Sequence, residues 1–547
     1  MVNLFTTPLG AGLVLMLAAL ALTFVRRRLR PFAPRTFALV SVAGAAGLFL
    51  WLVLSGRPAE FARAWDPVAL PGGSWLWQID GWSWLAGSVL FLLGATSLLV
   101  GWEETGEGNA PTLSATLLLL AASSLFVFAG NLLSLAASWV VLDVAVGLRA
   151  ASEGPEAGAR AWGLCSLGTL LLLAALLFAG PAGAYQPLSE ETAPLSIIAL
   201  FLAALLRSGA FPFHIWQMPH RQHSRSGLMA IHLVAPLSGL WLLGQLLALS
   251  GPYFRSQPAW ASLGVLGMLG SGLAAYLAKD AIPRTAWVAV NRVSLAVLAA
   301  SLAPEPGTSA LIWPLLTLSL GVGILVVGQT ILGKWGWRQP MALAVLTLVG
   351  LPGTPGFFAR LPLIDLSALS IAYSPLWLLA LLAEVLFVAA LLAWLFRSRG
   401  PRTQPVTAGS ATRLLTAGVL LAVPLLVFGL QPPFLAGFSG LDEGASGFRP
   451  LLTQLQELSS SGWAVLLVPW VGGGLLAWRR EHLLSGLGAW RDMATRVVGL
   501  EWGYGGLRWA VEGAIGLVRG LGTLVEGEGY FGWLALAAIL GWMLWNQ

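Results

Sequence analysis

Arg207-Ser208-Gly209-Ala210-Phe211-Pro212-Phe213-His214-Ile215-Trp216 closes an apolar run that begins near residue 195. The stretch sets a fixed positive charge, a helix-breaking proline and a histidine at the depth of a membrane span. Ionisable groups are costly inside a bilayer, and where they occur they mark an ion or substrate path by default. Proline removes a backbone donor, and the carbonyls it frees must be satisfied by protein or by water. The stretch therefore reads as a broken transmembrane helix.

The composition around it agrees. The chain has 547 residues, 57% of them hydrophobic and 10% charged. A soluble domain carries roughly 25% charged residues. Runs of about 20 apolar residues, the length that spans a bilayer as a helix, recur from end to end. The net charge of +6 is then a statement about topology, not about nucleic acid. Only Lys279 and Lys334 are lysine; the other basic residues are arginine. Arginine keeps its proton and acts as a fixed source of field. The single cysteine, Cys165, allows no disulfide, Cys-rich zinc site or iron–sulfur cluster. The first apolar run is followed by Arg26-Arg27-Arg28 and has no basic lead, so it reads as a retained helix and not a signal peptide.

The hydropathy pattern predicts an all-α integral membrane protein with about 16 transmembrane helices. They lie near 8–25, 37–55, 82–100, 111–129, 131–149, 162–180, 195–214, 226–249, 258–278, 285–303, 309–332, 340–357, 375–396, 411–430, 461–478 and 530–545. Arg26, Arg27, Arg28, Arg30, Arg35, Arg397, Arg399, Arg402, Arg479 and Arg480 follow odd-numbered spans, which sets those ends inside. Arg57, Arg63 and Arg255 run against the bias. Both termini then face outward, and a bacterial cytoplasmic membrane is the expected location.

A second interruption, Gly350-Leu351-Pro352-Gly353-Thr354-Pro355-Gly356, closes the twelfth span. The two breaks lie five spans apart. Aromatics follow each, and an arginine lies close by each: Arg207 before the first, Arg360 after the second. Paired interruptions at corresponding positions predict two inverted five-helix repeats, 111–249 and 258–396. Residues 1–110 hold the first three spans, 411–478 further spans, and 530–547 the final one. Between them, 480–529 is not a span. Leu500, Tyr504, Leu507, Val511, Ile515, Val518, Leu521 and Val525 fall on one helical face. Glu501, Arg508, Glu512, Arg519 and Glu526 run beside it, as in an amphipathic lateral helix on the inner interface. It reads either as a surface anchor or as a brace across neighbouring subunits.

Ionisable residues at span depth are the candidate site: Asp143, Arg207, His214, His232, Arg292, Arg360 and Glu384, with Asp280 and Arg284 leading into the tenth span. Asp143 with Arg207, and Arg360 with Glu384, are the natural charge pairs, because an unpaired charge there is costly. Such pairs either serve an ion path or lock helices together. His214, His220 and His223 stand near Arg221 and Arg225. The arginines repel a cation and no carboxylate or cysteine is near in sequence, so the cluster reads as a wet, titratable entrance or a plain loop and not a metal site. No phosphate-cradling glycine loop and no soluble domain is visible. No cofactor is expected on this chain.

Four stretches resemble the antiporter-like proton-pumping membrane subunits of respiratory complex I and of Mrp-type cation/proton antiporters. They are Gln78-Ile79-Asp80-Gly81-Trp82-Ser83, the run from Asn131 to Trp139, Arg207 to Trp216, and Gly350 to Arg360. The tail is similar to the lateral helix of the largest such subunit. The sequence departs from the family at chemical positions. The glutamate that follows the fifth-span tryptophan is Val140, with Asp143 three residues on. The two span lysines are Arg207 and Arg360, the eighth-span histidine position is Ala230 with His232 beyond it, and the approach to the tenth span reads Asp280-Ala281-Ile282-Pro283-Arg284. The resemblance implies a proton-conducting or proton-coupled chain set among other membrane subunits, with a redox or zinc-bearing peripheral partner. It also implies two alternatives: a structural subunit that has lost its path, or the membrane partner of a proton-driven inorganic-carbon uptake complex. A self-contained transporter of an organic solute has no convergent polar cavity to support it.

Overall fold

The computed structural model describes residues 4–25, 33–55, 60–65, 73–104, 110–185, 193–218, 224–249, 258–303, 308–369, 373–397, 407–439, 448–486, 488–525 and 530–545. Arg26, Arg27, Arg28, Arg30, Arg57, His220, Arg221, His223, Arg255, Arg399, Arg402 and Glu526 lie outside the described residues. The chain divides into two compact units, Met1–Gly488 and Ala489–Gln547.

The first unit is a helical membrane body. Among the described residues, 13 helices are long and apolar enough to cross a bilayer. Leu9–Phe24 and Gln339–Leu348 are apolar but shorter. Polar residues at the loop ends start several spans by accepting the first free N–H groups. Asp80 accepts from Ser83 N at 2.6 Å and Asn131 from Ser134 N at 2.9 Å. Ser224 and Ser459 do the same for Gly227 and Gly462. The most apolar-looking spans are not the most central. Arg225–Leu247 and Ala281–Leu302 are buried along their length, whereas Pro155–Gly180 is largely exposed and turns Trp162, Leu170 and Leu177 outward. Polar and charged side chains concentrate in the buried helices, where other protein groups can meet them.

Three features differ from the sequence expectation. The first is a small two-stranded antiparallel hairpin, Glu60–Ala64 with Ser74–Gln78, added to the expected all-α membrane fold. Trp75 stacks on Trp77 at 5.7 Å, and Trp65 packs tilted against Trp75 at 5.0 Å. Asn131 Nδ2 donates to the Ser74 carbonyl at 2.8 Å, and Leu76 N to Ser134 Oγ at 2.8 Å, which fastens the hairpin to the start of Leu132–Ala151. The second is a pair of π-helical turns, Ala230–Val234 and Thr317–Val322, packed against each other. Such wide turns loosen the helical ladder and recur at functional sites. Third, the twelfth span is shorter than the expected 340–357. Its helix ends at Leu348, the chain turns through Gly350 and Gly353 at positive φ, and short helices follow at Pro355–Phe358 and Leu361–Leu369.

The second unit carries Glu501–Val525 and Tyr530–Trp545, which pack on each other. Arg508 pairs with Glu512 one turn on at 2.7 Å, and Trp502, Trp509 and Leu517 are exposed.

Candidate functional site: two buried charge centres

The first centre assembles from three helices. Leu132–Ala151 carries Trp139 and Asp143, four residues apart and so on one face. Arg207 arrives in the last turn of Pro194–Ser208, where a cation also complements the helix dipole. Arg207 Nη2 donates to Asp143 Oδ1, and Thr169 Oγ1, from the helix Pro155–Tyr185, donates to Asp143 Oδ2. The guanidinium lies 4.7 Å over the Trp139 ring. Arg207 is fully buried and Asp143 is 4% exposed, while Val140, at the position the resemblance assigns to a glutamate, is 54% exposed. The three-residue shift moves the carboxylate from an outward face to one that meets Arg207. Arg207 Nε and Nη1 have no hydrogen-bond partner.

The broken helix that delivers Arg207 is closed by its own continuation. Gly209, at φ 66, ends the helix, and the N–H groups of Gly209 and Ala210 return to the Leu206 and Leu205 carbonyls at 3.1 Å each. The Trp216 indole donates to the Leu206 carbonyl at 2.9 Å and Gln217 Nε2 to the Ser208 carbonyl at 3.1 Å. Protein groups thus satisfy the Leu205, Leu206 and Ser208 carbonyls at the Phe211-Pro212-Phe213 interruption. The second break is sealed in a parallel way: the Trp470 indole donates to the Val349 carbonyl at 2.9 Å.

The second centre is larger than the pair expected. Glu384, in the helix Ser374–Arg397, is fully buried. Its Oε2 accepts from Arg360 Nη2 and its Oε1 accepts from Arg292 Nη2 at 2.5 Å. Asn291 Oδ1 accepts from Arg292 Nη2 at 2.5 Å and Nε at 3.1 Å, while Asn291 Nδ2 donates to the Met268 carbonyl at 2.8 Å. Arg292 lies 3.8 Å over Phe387. Arg360 runs along the backbone of Gly350, where an added Cβ would come within 2.9 Å of its Cδ. Asn291 is the residue that sequence reading passed over; its one signal was a carboxamide directly before a buried arginine.

The remaining candidates fall elsewhere. His214 is fully buried, stacked on Phe211 at 5.2 Å and tilted on Trp287 at 4.9 Å, so it does not line a wet entrance. His232 is buried in the first π-helical turn. Arg284 is buried and donates to the Ala278 carbonyl at 2.6 Å beneath Trp394, which makes it a cap for the end of Pro258–Leu277. Asp280 is exposed at the start of Ala281–Leu302. Among the described residues no group of three or more His, Cys, Asp or Glu side chains is placed to hold a metal.

A clasp that the sequence did not announce joins four helices beyond the end of Gly81–Gly101. Glu103 accepts from Lys334 Nζ at 2.6 Å, Ser410 Oγ at 2.6 Å and Arg413 Nη2 at 2.5 Å. Glu104 accepts the N–H groups of Arg225 and Ser226 at 2.9 and 3.1 Å, capping the helix that carries His232. Burial works to raise the Glu103 carboxyl, but the hydrogen bonds from Lys334, Ser410 and Arg413 outweigh it and hold the group below its ordinary value of 4.5.

No family model matches the chain. A protein of Rhizobium meliloti (strain 1021) described as the probable A/B subunit of a K(+)/H(+) antiporter is 28% identical over 262 residues, covering 44% of this chain and 25% of that protein. The chain thus spans about a quarter of the length of the curated relative it matches. Among solved structures, a chain of the Mrp complex from Dietzia sp. DQ12-45-1b superposes with a TM-score of 0.78 at 18% identity, over 98% of this chain and 62% of that one. A chain of the membrane-bound sulfane sulfur reductase, an archaeal respiratory membrane complex, gives 0.75 at 15% identity over 98% and 99%. A chain of respiratory complex I from Thermus thermophilus gives 0.59 at 22% identity over 77% and 98%. The resemblance first read from four sequence motifs is therefore matched in three dimensions: the chain has the fold of the antiporter-like membrane subunits.

Proposed function

We propose that the chain is a proton-conducting or proton-coupled antiporter-like subunit of a multi-subunit membrane complex, of NADH:quinone oxidoreductase-like or Mrp-like kind. The observation that carries this reading is the Asp143–Arg207–Thr169 cluster, an acid held at span depth beside a broken helix. Asp143 is the group that takes and releases the proton. Arg207 keeps its charge, so it sets the field at Asp143 without carrying the proton. Neutralising Asp143 frees the guanidinium to swing its unused N–H groups toward the next polar site, and re-ionisation draws it back. His214 and His232 serve as relays. Arg292, Arg360 and Glu384 form the corresponding charge centre of the second half, and Asp280 and Arg284 stand at its approach.

In this reading about 16 spans contain the two inverted repeats 111–249 and 258–396. Residues 480–529 form a lateral helix on the inner interface, and both termini face outward from a bacterial cytoplasmic membrane. Other membrane subunits are the partners; a peripheral redox or zinc-bearing protein supplies chemistry for which this chain holds no cofactor. The test is proton flux in the purified complex reconstituted into liposomes, followed with an internal pH dye. Asp143→Asn is expected to reduce flux more than about ten-fold, as loss of an essential proton carrier does. Unchanged flux would sink the assignment.

A structural subunit without a path of its own is the second reading. It is favoured by the arginines at both breaks, Arg207 and Arg360, which cannot release a proton, and by Glu384 being held by Arg360 together with Arg292. Under it, D143N lowers stability and leaves flux untouched.

A further inference from the structure

The charges at the two centres differ in balance. Asp143 and Arg207 pair one to one. At the second centre two guanidinium groups, Arg292 and Arg360, share the single carboxylate of Glu384, and Asn291 is neutral. Both oxygens of Glu384 are already engaged. Arg292 Nη1, Arg360 Nε and Arg360 Nη1 have no hydrogen-bond partner, although both arginines are at most 1% exposed. An arginine does not neutralise itself by losing a proton. A surplus positive charge at this depth costs several kcal/mol, and the Phe387 ring face offers only a quadrupole against it. Among the described side chains no second acid pairs with either arginine.

We propose that the Arg292–Arg360–Glu384 centre binds one small monovalent inorganic anion on the unused N–H groups of the two guanidinium groups. A single negative charge balances the centre, whereas a divalent anion would leave it negative. Forked guanidinium donors suit a halide or a small planar oxyanion equally, because both accept parallel N–H groups. Complete burial of Arg292 and Glu384 excludes anions carrying an organic body. The inference does not depend on proton conduction, since a structural subunit with this centre would need the same counter-charge.

The test uses the intact purified complex, exchanged into sodium gluconate and titrated with sodium chloride or sodium bicarbonate at constant ionic strength. Labelled chloride and labelled bicarbonate in equilibrium dialysis report binding, and thermal unfolding reports linkage. Saturable uptake of about one anion per chain is expected, with a Tm that rises with its concentration by mass action. The tighter of the two anions tells halide from oxyanion. Arg292→Gln removes the surplus charge and is expected to abolish the uptake. Asn291→Asp is the milder variant: it puts a carboxylate on the atom that already accepts from Arg292 Nη2 and Nε, at the loss of the bond to Met268. It is expected to bind no anion while staying folded in gluconate. The proposal is overturned if the wild-type complex takes up neither anion saturably, or if uptake survives unchanged in both variants.

Discussion

At the residue scale, the arginine at position 207 separates this chain from the pattern it resembles. Its guanidinium covers Trp139 and grips Asp143, which a lysine, as a compact point charge, does not reproduce. A lysine there can lose its proton when buried. On the proposed proton path, Arg207→Lys is therefore expected to add a high-pH limb to the flux profile that an arginine at this position does not give, measured by dye quenching in proteoliposomes across pH. A profile identical to wild type would show that position 207 does not face the moving proton. The sequence made Asp143 and Arg207 legible because an acid and a base stand out in apolar runs and need partners. It hid Asn291, because one carboxamide in a span is unremarkable until the arginine beside it is seen to lean on it twice. It also misled at His214, which looked like part of a loop cluster and is held between two aromatic rings.

At the element scale, the breaks were readable and their closure was not. Proline and glycine announce where a helix stops. Nothing local announces that Trp216 and Trp470, one ten residues beyond the helix-end carbonyl it caps and the other more than a hundred, supply the indoles that seal them. The π-helical turns were invisible for a similar reason, since packing decides them and not the residues within them. Gly350 shows what the second break demands of sequence. Its φ of 77 is a left-handed conformation, and the Arg360 side chain fills the space a Cβ would take. Gly350→Ala is expected to lower stability by about 1–2 kcal/mol from backbone conformation alone. It should also displace Arg360 from Glu384. Thermal unfolding of the purified protein reads the first effect, and a double variant with Arg360→Gln the second, because the two losses should then fail to add.

At the scale of the whole molecule, the Glu103–Glu104 clasp ties together Gly81–Gly101, the start of the His232 helix, Ser309–Trp335 and Ala408–Leu430. Glu103 is held below the ordinary carboxylate value. A depressed carboxyl stabilises the fold fully above its unfolded value and loses that contribution as pH falls through the folded one. The wild-type Tm should therefore fall as pH drops below about 4.5, and Glu103→Gln should flatten that part of the curve. At neutral pH the variant is expected to cost about 1–3 kcal/mol, the range for hydrogen bonds to a charged group. No local motif foretold the clasp, because every partner of Glu103 and Glu104 lies more than a hundred residues further along the chain.

Cys165 is the one thiol in the sequence, and it is completely enclosed by its neighbours. The chain is therefore expected to behave as a cysteine-less background toward water-borne maleimides. A cysteine placed in any connecting loop would be the sole site of labelling, and a reagent that cannot cross lipid would report from which side of the membrane that loop is reached.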